Sequence, residues 1–110
     1  MSDSALDLLP GTLDVLILRT LAWQPMHGYG ISQFVRGQTN GAIVIESAAL
    51  YQALHRLQKK KLVRSWWALS DANRRARFYD LTPEGRKQLR AQSTALKSYV
   101  AALFAVLEAR

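Results

Sequence analysis

Few side chains in this sequence could carry out covalent or metal chemistry. There is no Cys, so thiolate nucleophiles, thiolate metal ligands and disulfides are all excluded. Ser47, His55 and Asp71 do not form a triad, because two turns of one predicted helix would separate Ser47 from His55 by about 12 Å. The segment His27-Gly28-Tyr29-Gly30 follows no predicted strand and therefore does not match a phosphate-binding loop. We expect no enzyme activity, no metal ion and no cofactor.

The charged side chains point instead to binding of a polyanion. The 110 residues contain 15 Lys and Arg against 8 Asp and Glu, a formal net charge of +7. Residues 59–90 hold ten of those basic side chains and only three acidic ones, so this segment alone accounts for the whole excess. A concentrated basic stretch is typical of proteins that bind nucleic acid, although a solvated basic face would have the same composition.

Composition and apolar patterning limit the class of protein. Hydrophobic residues make up 49% of the chain, which is too many for a disordered protein and enough for one small domain. The longest apolar run, Tyr99–Leu107, is too short to cross a bilayer, which needs about twenty residues. The first residues also lack the basic and apolar regions of a signal peptide. We therefore expect a cytoplasmic protein that does not bind membranes.

Periodicity predicts a mainly α-helical chain with one small β-hairpin. The predicted helices span residues 13–22, 27–38, 46–60 and 83–109, and the hairpin strands span 62–69 and 75–81. His27 is expected to cap or pack against the second helix, and Thr82 is expected to cap the last. Ala42–Ile45 could form at most the edge of a strand. Leu50, Leu54 and Leu57 share one face of the third helix and should be buried.

The first and last helices are expected to need a second subunit. The first is apolar almost all round. The last would be about 40 Å long, and its heptad-like apolar seam, interrupted by Gln92, extends beyond so small a body. The residues predicted to form a homodimer interface are Leu13, Leu16, Ile17, Leu96, Tyr99, Val100, Leu103, Phe104 and Leu107.

The predicted elements follow one another as three helices, a basic hairpin and a long helix. This is the order found in a winged helix-turn-helix with a C-terminal dimerisation helix. In that fold the third helix enters the major groove of double-stranded DNA and the hairpin, or wing, reaches the flanking backbone. We expect a DNA-binding domain over residues 1–82 and a dimerisation helix over residues 83–110. The predicted DNA contacts are Ala48, Ala49, Tyr51, Gln52, His55, Arg56 and Lys59 on the helix, and Arg74, Arg75 and Arg77 on the wing.

The roles of these side chains follow from their chemistry. Gln52 could bond to adenine, and Arg56 or Lys59 to guanine or phosphate. Two alternatives stay open: Tyr51 donates its hydroxyl to a phosphate or covers the core, and Arg77 contacts DNA or is structural. Strand alternation places Arg75 and Arg77 on the same face of the hairpin.

Four motifs, in order, resemble the PadR family of bacterial transcriptional regulators. They are Leu9-Pro10-Gly11-Thr12-Leu13, His27-Gly28-Tyr29-Gly30-Ile31, Leu50-Tyr51-xx-Leu54-xx-Leu57, and the run from Arg74 to Gly85 that contains Arg77-Phe78-Tyr79-x-Leu81-Thr82-Pro83. The length resembles the short subfamily with a single C-terminal helix. The resemblance implies a homodimer that represses transcription at a palindromic operator and is often released by a small molecule.

The resemblance also implies a ligand position and shows three departures. A planar aromatic effector would lie between subunits, lined here by Tyr99, Leu103 and Phe104, although a plain dimer core is the alternative. The family usually has Gly-Ser or Gly-Ala at Ala48-Ala49 and Pro at Gln52, and it often has Gly at Lys61. A different class of function also remains open, namely a winged helix that binds other proteins and has no sequence-specific DNA binding.

Overall fold

The computed structural model describes Leu8 and residues 11–110, so the Leu9-Pro10 part of the first motif lies outside the described residues. The elements are α1 (Thr12–Trp23), β1 (Met26–His27), α2 (Gly28–Gln38), α3 (Ser47–Lys59), β2 (Val63–Leu69), β3 (Arg75–Leu81) and α4 (Pro83–Leu107). This order confirms the predicted winged helix-turn-helix followed by a long helix.

The three strands form one antiparallel sheet in the order β1-β3-β2. The hairpin pairs Val63 with Leu81 at its base and Leu69 with Arg75 near its tip. Strand β1, whose Met26 pairs with Tyr79 of β3, was not predicted, since its two residues carry no period. The edge strand considered at Ala42–Ile45 is absent, and that segment is irregular.

One apolar core lies between the first three helices and the inner face of the sheet. On α3, Leu50, Leu54 and Leu57 are each at most 2% exposed, which confirms the predicted buried face. Ile17 of α1 is completely buried in the same core. Within the single chain, none of its surface is left to contact a second subunit. Leu13 and Leu16 are only partly buried against the core.

Helix α3 ends in a turn that holds a lysine in the left-handed region. Lys61 has φ 63°. Its N–H donates to the Gln58 carbonyl at 2.9 Å, and the Leu62 N–H donates to the Leu57 carbonyl at 3.0 Å. These two bonds define a Schellman motif, in which the residue in the place of Lys61 is usually Gly. The chain thus forms the usual helix end without the usual residue.

Helix α4 begins on this same turn. The Thr82 hydroxyl accepts from the Gly85 N–H at 3.0 Å, as expected for a cap, and donates to the Lys61 carbonyl at 2.7 Å. The Thr82 N–H donates to the Leu62 carbonyl at 3.1 Å. A methyl group built at Gly85 would overlap that carbonyl oxygen, so only glycine permits this approach. The end of α3 and the start of α4 are therefore one hydrogen-bonded unit.

The second half of α4 projects away from the domain. Leu89 is 9% exposed against the core, whereas Phe104 is 53% and Leu107 is 75% exposed. With 25 residues, the helix is about 38 Å long. Among the described residues, no helix has an apolar stretch long enough to cross a membrane.

Candidate nucleic-acid interface

The outward face of α3 is open to solvent. The exposed residues on this helix include Ala48, Tyr51, Gln52, His55, Arg56 and Lys59, whereas Ala49 is half-buried. The helix has no acidic residue in its first turn and basic residues in its last turn. Six of the seven predicted contacts on α3 are therefore accessible, and they lie opposite the buried leucines.

Arg56 is turned away from the centre of this face. Its Nη2 forms an ion pair with the Asp14 carboxylate of α1 at 2.6 Å. The two residues are 42 positions apart; the Arg56 side chain is 52% exposed, whereas the Asp14 side chain is only 18% exposed. Arg56 thus fastens α3 to α1, and a DNA contact from this side chain would require it to leave Asp14 or to share its guanidinium.

The wing carries its cations around one indole ring. Trp67 of β2 lies opposite Arg77 of β3 in the strand register. The guanidinium carbon of Arg75 is 4.9 Å from the indole centroid, and that of Arg77 is 5.5 Å away. This arrangement confirms that Arg75 and Arg77 share a face. Cation–π contacts of this length hold both guanidinium groups near the ring.

The tip of the wing is a tight turn. The Ser70 N–H donates to the Arg74 carbonyl and the Asn73 N–H donates to the Ser70 carbonyl, both at 2.8 Å. Asn73 has φ 58°, a conformation that Asn adopts more readily than most residues. Arg74 stands exposed at the end of this turn, at the far reach of the wing.

A cleft of about 530 Å³ separates α3 from the wing. It is lined by Tyr51, His55, Gln58, Lys59, Arg77 and Tyr79. No Asp or Glu is among these lining residues, so every ionisable group that turns toward the cleft is basic or phenolic. The cleft joins the exposed face of α3 to the cationic face of the wing. We call this combined area the DNA-facing surface, which consists of Tyr51, Gln52, His55, Lys59, Arg74, Arg75, Arg77 and the cleft between them.

A chain of hydrogen bonds crosses the floor of the cleft. Arg77 Nε donates to Ser65 Oγ at 2.9 Å, and the Ser65 hydroxyl donates to Gln58 Oε1 at 3.1 Å. Gln58 belongs to α3, Ser65 to β2 and Arg77 to β3, so the chain joins the helix to both wing strands. Sequence reasoning did not select Ser65 or Gln58.

Two tyrosines complete the cleft. A methyl group built at Gly28 would overlap the phenol of Tyr51, so the start of α2 lies directly against this ring and a larger residue there would displace it. Tyr79 is 6% exposed. Burial raises its pKa, while the nearby charge of Arg77 lowers it and Tyr51 raises it further. Sequence reasoning missed Tyr79, although strand alternation from Arg77 places it on the same face.

His27 serves the fold. Its Nδ1 accepts from the Gly30 N–H at 3.0 Å, which confirms the predicted cap of α2. Its ring meets Phe78 edge-on, with 5.2 Å between centroids. In the part of the chain that the structure describes, no group of three His, Asp or Glu side chains could hold a metal ion.

The predicted dimer and effector residues lie on α4. Tyr99, Val100, Leu103, Phe104 and Leu107 are exposed by between 39% and 75%, and Leu96 is half-buried. The apolar seam of α4 therefore has no cover from its own domain beyond Leu96. Tyr99, Leu103 and Phe104 do share this exposed stretch, but a single chain does not enclose them.

A helix-turn-helix beside a cationic hairpin defines a winged-helix protein. The profile of the "Transcriptional regulator PadR-like family" matches residues 17–91, about two-thirds of the chain. The chain belongs to this family of DNA-binding transcriptional regulators. "Uncharacterized protein X" from Lysinibacillus sphaericus is 34% identical to it over 84 residues, which is 76% of either chain.

Solved structures agree with this assignment. A transcriptional regulator from Clostridium thermocellum superposes with a TM-score of 0.76 at 29% identity, covering 84% of this chain and 87% of the other. A PadR family transcription regulator from Clostridium difficile superposes with a TM-score of 0.74 at 25% identity, covering 90% and 100%. Transcription regulators of this kind are generally not enzymes.

Proposed function

We propose that the protein is a cytoplasmic homodimer that represses transcription by binding a palindromic operator. The observation that carries the proposal is the DNA-facing surface, in which the exposed face of α3 and Arg77 of the wing meet at a cleft that no carboxylate lines. Arg74 and Arg75 line the adjoining cleft toward the wing tip, together with Asp71. In this arrangement α3 lies in the major groove, where Gln52 reads bases, and the wing lies on the flanking backbone.

The exposed seam of α4 supports the homodimer. Val100, Leu103 and Leu107 follow at helical spacing, and each is more than a third exposed. Apolar side chains repeated in this way on a projecting helix fit a second copy of the same helix. We propose residues 1–82 as the DNA-binding unit and residues 83–110 as the dimerisation unit. Twofold pairing would place the two α3 helices in successive major grooves, about 34 Å apart.

We also propose that a planar aromatic effector releases the DNA. It would lie between the two α4 helices against Tyr99, Leu103 and Phe104, which are aromatic or aliphatic and exposed in the single chain. A ligand bound there prefers one angle between the helices and thereby changes the spacing of the two reading heads.

DNA binding is tested by titrating the protein into fluorescent duplex from its own promoter region between 50 and 300 mM NaCl. If Lys59, Arg74, Arg75 and Arg77 of both subunits each neutralise one phosphate, log K falls against log salt with a slope of about −7. The variant Arg74→Ala/Arg75→Ala should flatten the slope by about 3 to 4. Absent or salt-independent binding refutes the proposal and favours a protein-binding winged helix.

The homodimer is tested by sedimentation. The variant Leu103→Glu/Leu107→Glu places carboxylates in the seam of α4 and should give monomers at concentrations where the wild type is a dimer. Ser98→Ala, an exposed change on the same helix, is the control and should leave the dimer intact. A wild type that sediments as a monomer contradicts the proposed interface.

A further inference from the structure

We propose that the cleft between α3 and the wing is a preformed binding site for one phosphate group, with Arg77, Tyr79 and Tyr51 as its donors. The inference rests on the proposed DNA binding and adds to it, because it gives a role to a buried tyrosine and to the hydrogen-bonded chain behind Arg77. The ligand is an oxyanion, and we assign it to the phosphodiester backbone of duplex DNA.

The Arg77 guanidinium is held on two sides and free at its end. Nε is bonded to Ser65, and the indole of Trp67 lies 5.5 Å from the guanidinium carbon. Both ion pairs of the described residues involve other arginines, so no carboxylate occupies the terminal amino groups of Arg77. Because Ser65 is itself fixed by Gln58, little side-chain entropy is left to lose when an anion binds.

Tyr79 presents a hydroxyl that the fold leaves without a partner. The residue is 6% exposed and lines the cleft. Across the described residues, none of the side-chain hydrogen bonds involves the hydroxyl of Tyr79 or that of Tyr51. The hydroxyl oxygen is not among the fully buried atoms without a partner, so it opens to the cleft, where a ligand can reach it. The phenol is protonated at neutral pH and burial raises its pKa further, so it is a donor, which suits an oxyanion.

The surroundings select an anion. His55 and Lys59 of α3 line the same cleft, and no carboxylate does. Arg77, Tyr79 and Tyr51 line this cleft together, and their donors can be shared between the two non-bridging oxygens of a phosphodiester, each of which accepts more than one hydrogen bond.

The position of the cleft favours a phosphate of DNA over a free one. The cleft lies between the helix proposed to enter the major groove and the hairpin proposed to rest on the flanking backbone, so the strand that separates the two grooves must cross it.

Three variants test separately the contributions of the Tyr79 hydroxyl, the Arg77 cation and the hydrogen bond between Ser65 and Arg77. Tyr79→Phe removes one donor without changing charge and should weaken binding to a 30-base-pair duplex about tenfold, with an unchanged salt slope. Arg77→Met should weaken binding and also flatten the slope by about 0.9 for each subunit. Ser65→Ala, which releases Arg77 Nε, should weaken binding about threefold, whereas Ser98→Ala should not. Thermal unfolding of every variant verifies the fold.

The source of the phosphate is tested with duplexes that carry one neutral methylphosphonate at successive positions. The substitution that costs the wild type most should cost Arg77→Met much less, and its cost to Tyr79→Phe should lie between the two, because that variant keeps Arg77. The assignment to the backbone is overturned by two results together. No single methylphosphonate position is sensitive in this way, and inorganic phosphate competes with DNA in the wild type but not in Arg77→Met. If the wild type binds duplex and both Tyr79→Phe and Ser65→Ala bind equally well, the site is refuted. If the wild type binds no duplex, the proposed function itself fails.

Discussion

Lys61 occupies a backbone position that favours glycine, and replacing it should stabilise the protein. Its φ of 63° lies in the left-handed region, which costs an L-residue about 1–2 kcal/mol. Glycine relieves that cost but loses about 0.5–1 kcal/mol more backbone entropy on folding. We expect Lys61→Gly to raise the free energy of unfolding by about 1 kcal/mol, which for a chain of this size raises Tm by about 4 °C.

The control is Lys61→Ala, which removes the same charge and keeps the left-handed strain. Both variants should lower DNA affinity equally if Lys61 acts only as an exposed cation, whereas only Lys61→Gly should gain stability. Urea unfolding at one fixed protein concentration gives the comparison, because dimerisation makes stability depend on concentration. A Lys61→Gly protein that is no more stable than Lys61→Ala would refute the reasoning from the helix end.

Three further changes test other parts of the fold. Gly85→Ala should lower the free energy of unfolding by at least about 2 kcal/mol, because its methyl group meets the Leu62 carbonyl. Gly37→Ala has open space around it and should raise the free energy of unfolding by up to about 1 kcal/mol. Equal urea midpoints for the two variants would contradict this reasoning. The buried Oε1 of Gln92 has no hydrogen-bond partner among the described residues, so Gln92→Leu should add about 1 kcal/mol in the same assay. The raised pKa of Tyr79 means that above pH 10 the unfolded chain releases a proton that the folded chain keeps, so stability should fall with rising pH, and less steeply in Tyr79→Phe.

Features with a local cause could be predicted from the sequence. The buried face of α3 follows from the spacing of Leu50, Leu54 and Leu57, and the start of α4 follows from Thr82 before Pro83. Both depend on residues within one or two turns of each other, so the pattern contains the needed information.

Features made by distant partners could not be predicted. Arg56 has the exposure expected of a DNA contact, but its partner Asp14 lies on another helix. Ile17 has the same chemistry as its neighbours on α1, and only the packing of the other elements around α1 decides that it is buried. Strand β1 exists because β3 offers it an edge. The hydrogen-bonded chain behind Arg77 is of this kind too, since Gln58, Ser65 and Arg77 come from three elements.

The turn after α3 connects the proposed DNA-reading helix to the proposed dimerisation helix. Thr82 is bonded to the carbonyls of Lys61 and Leu62, and Gly85 packs against the second of these. Helix α4 therefore cannot rotate at its first turn without breaking bonds to the end of α3. In the proposed dimer, a ligand that changes the angle between two α4 helices moves both α3 helices with them. Such a ligand needs no contact with the DNA-facing surface, because the backbone of this turn already joins the two units.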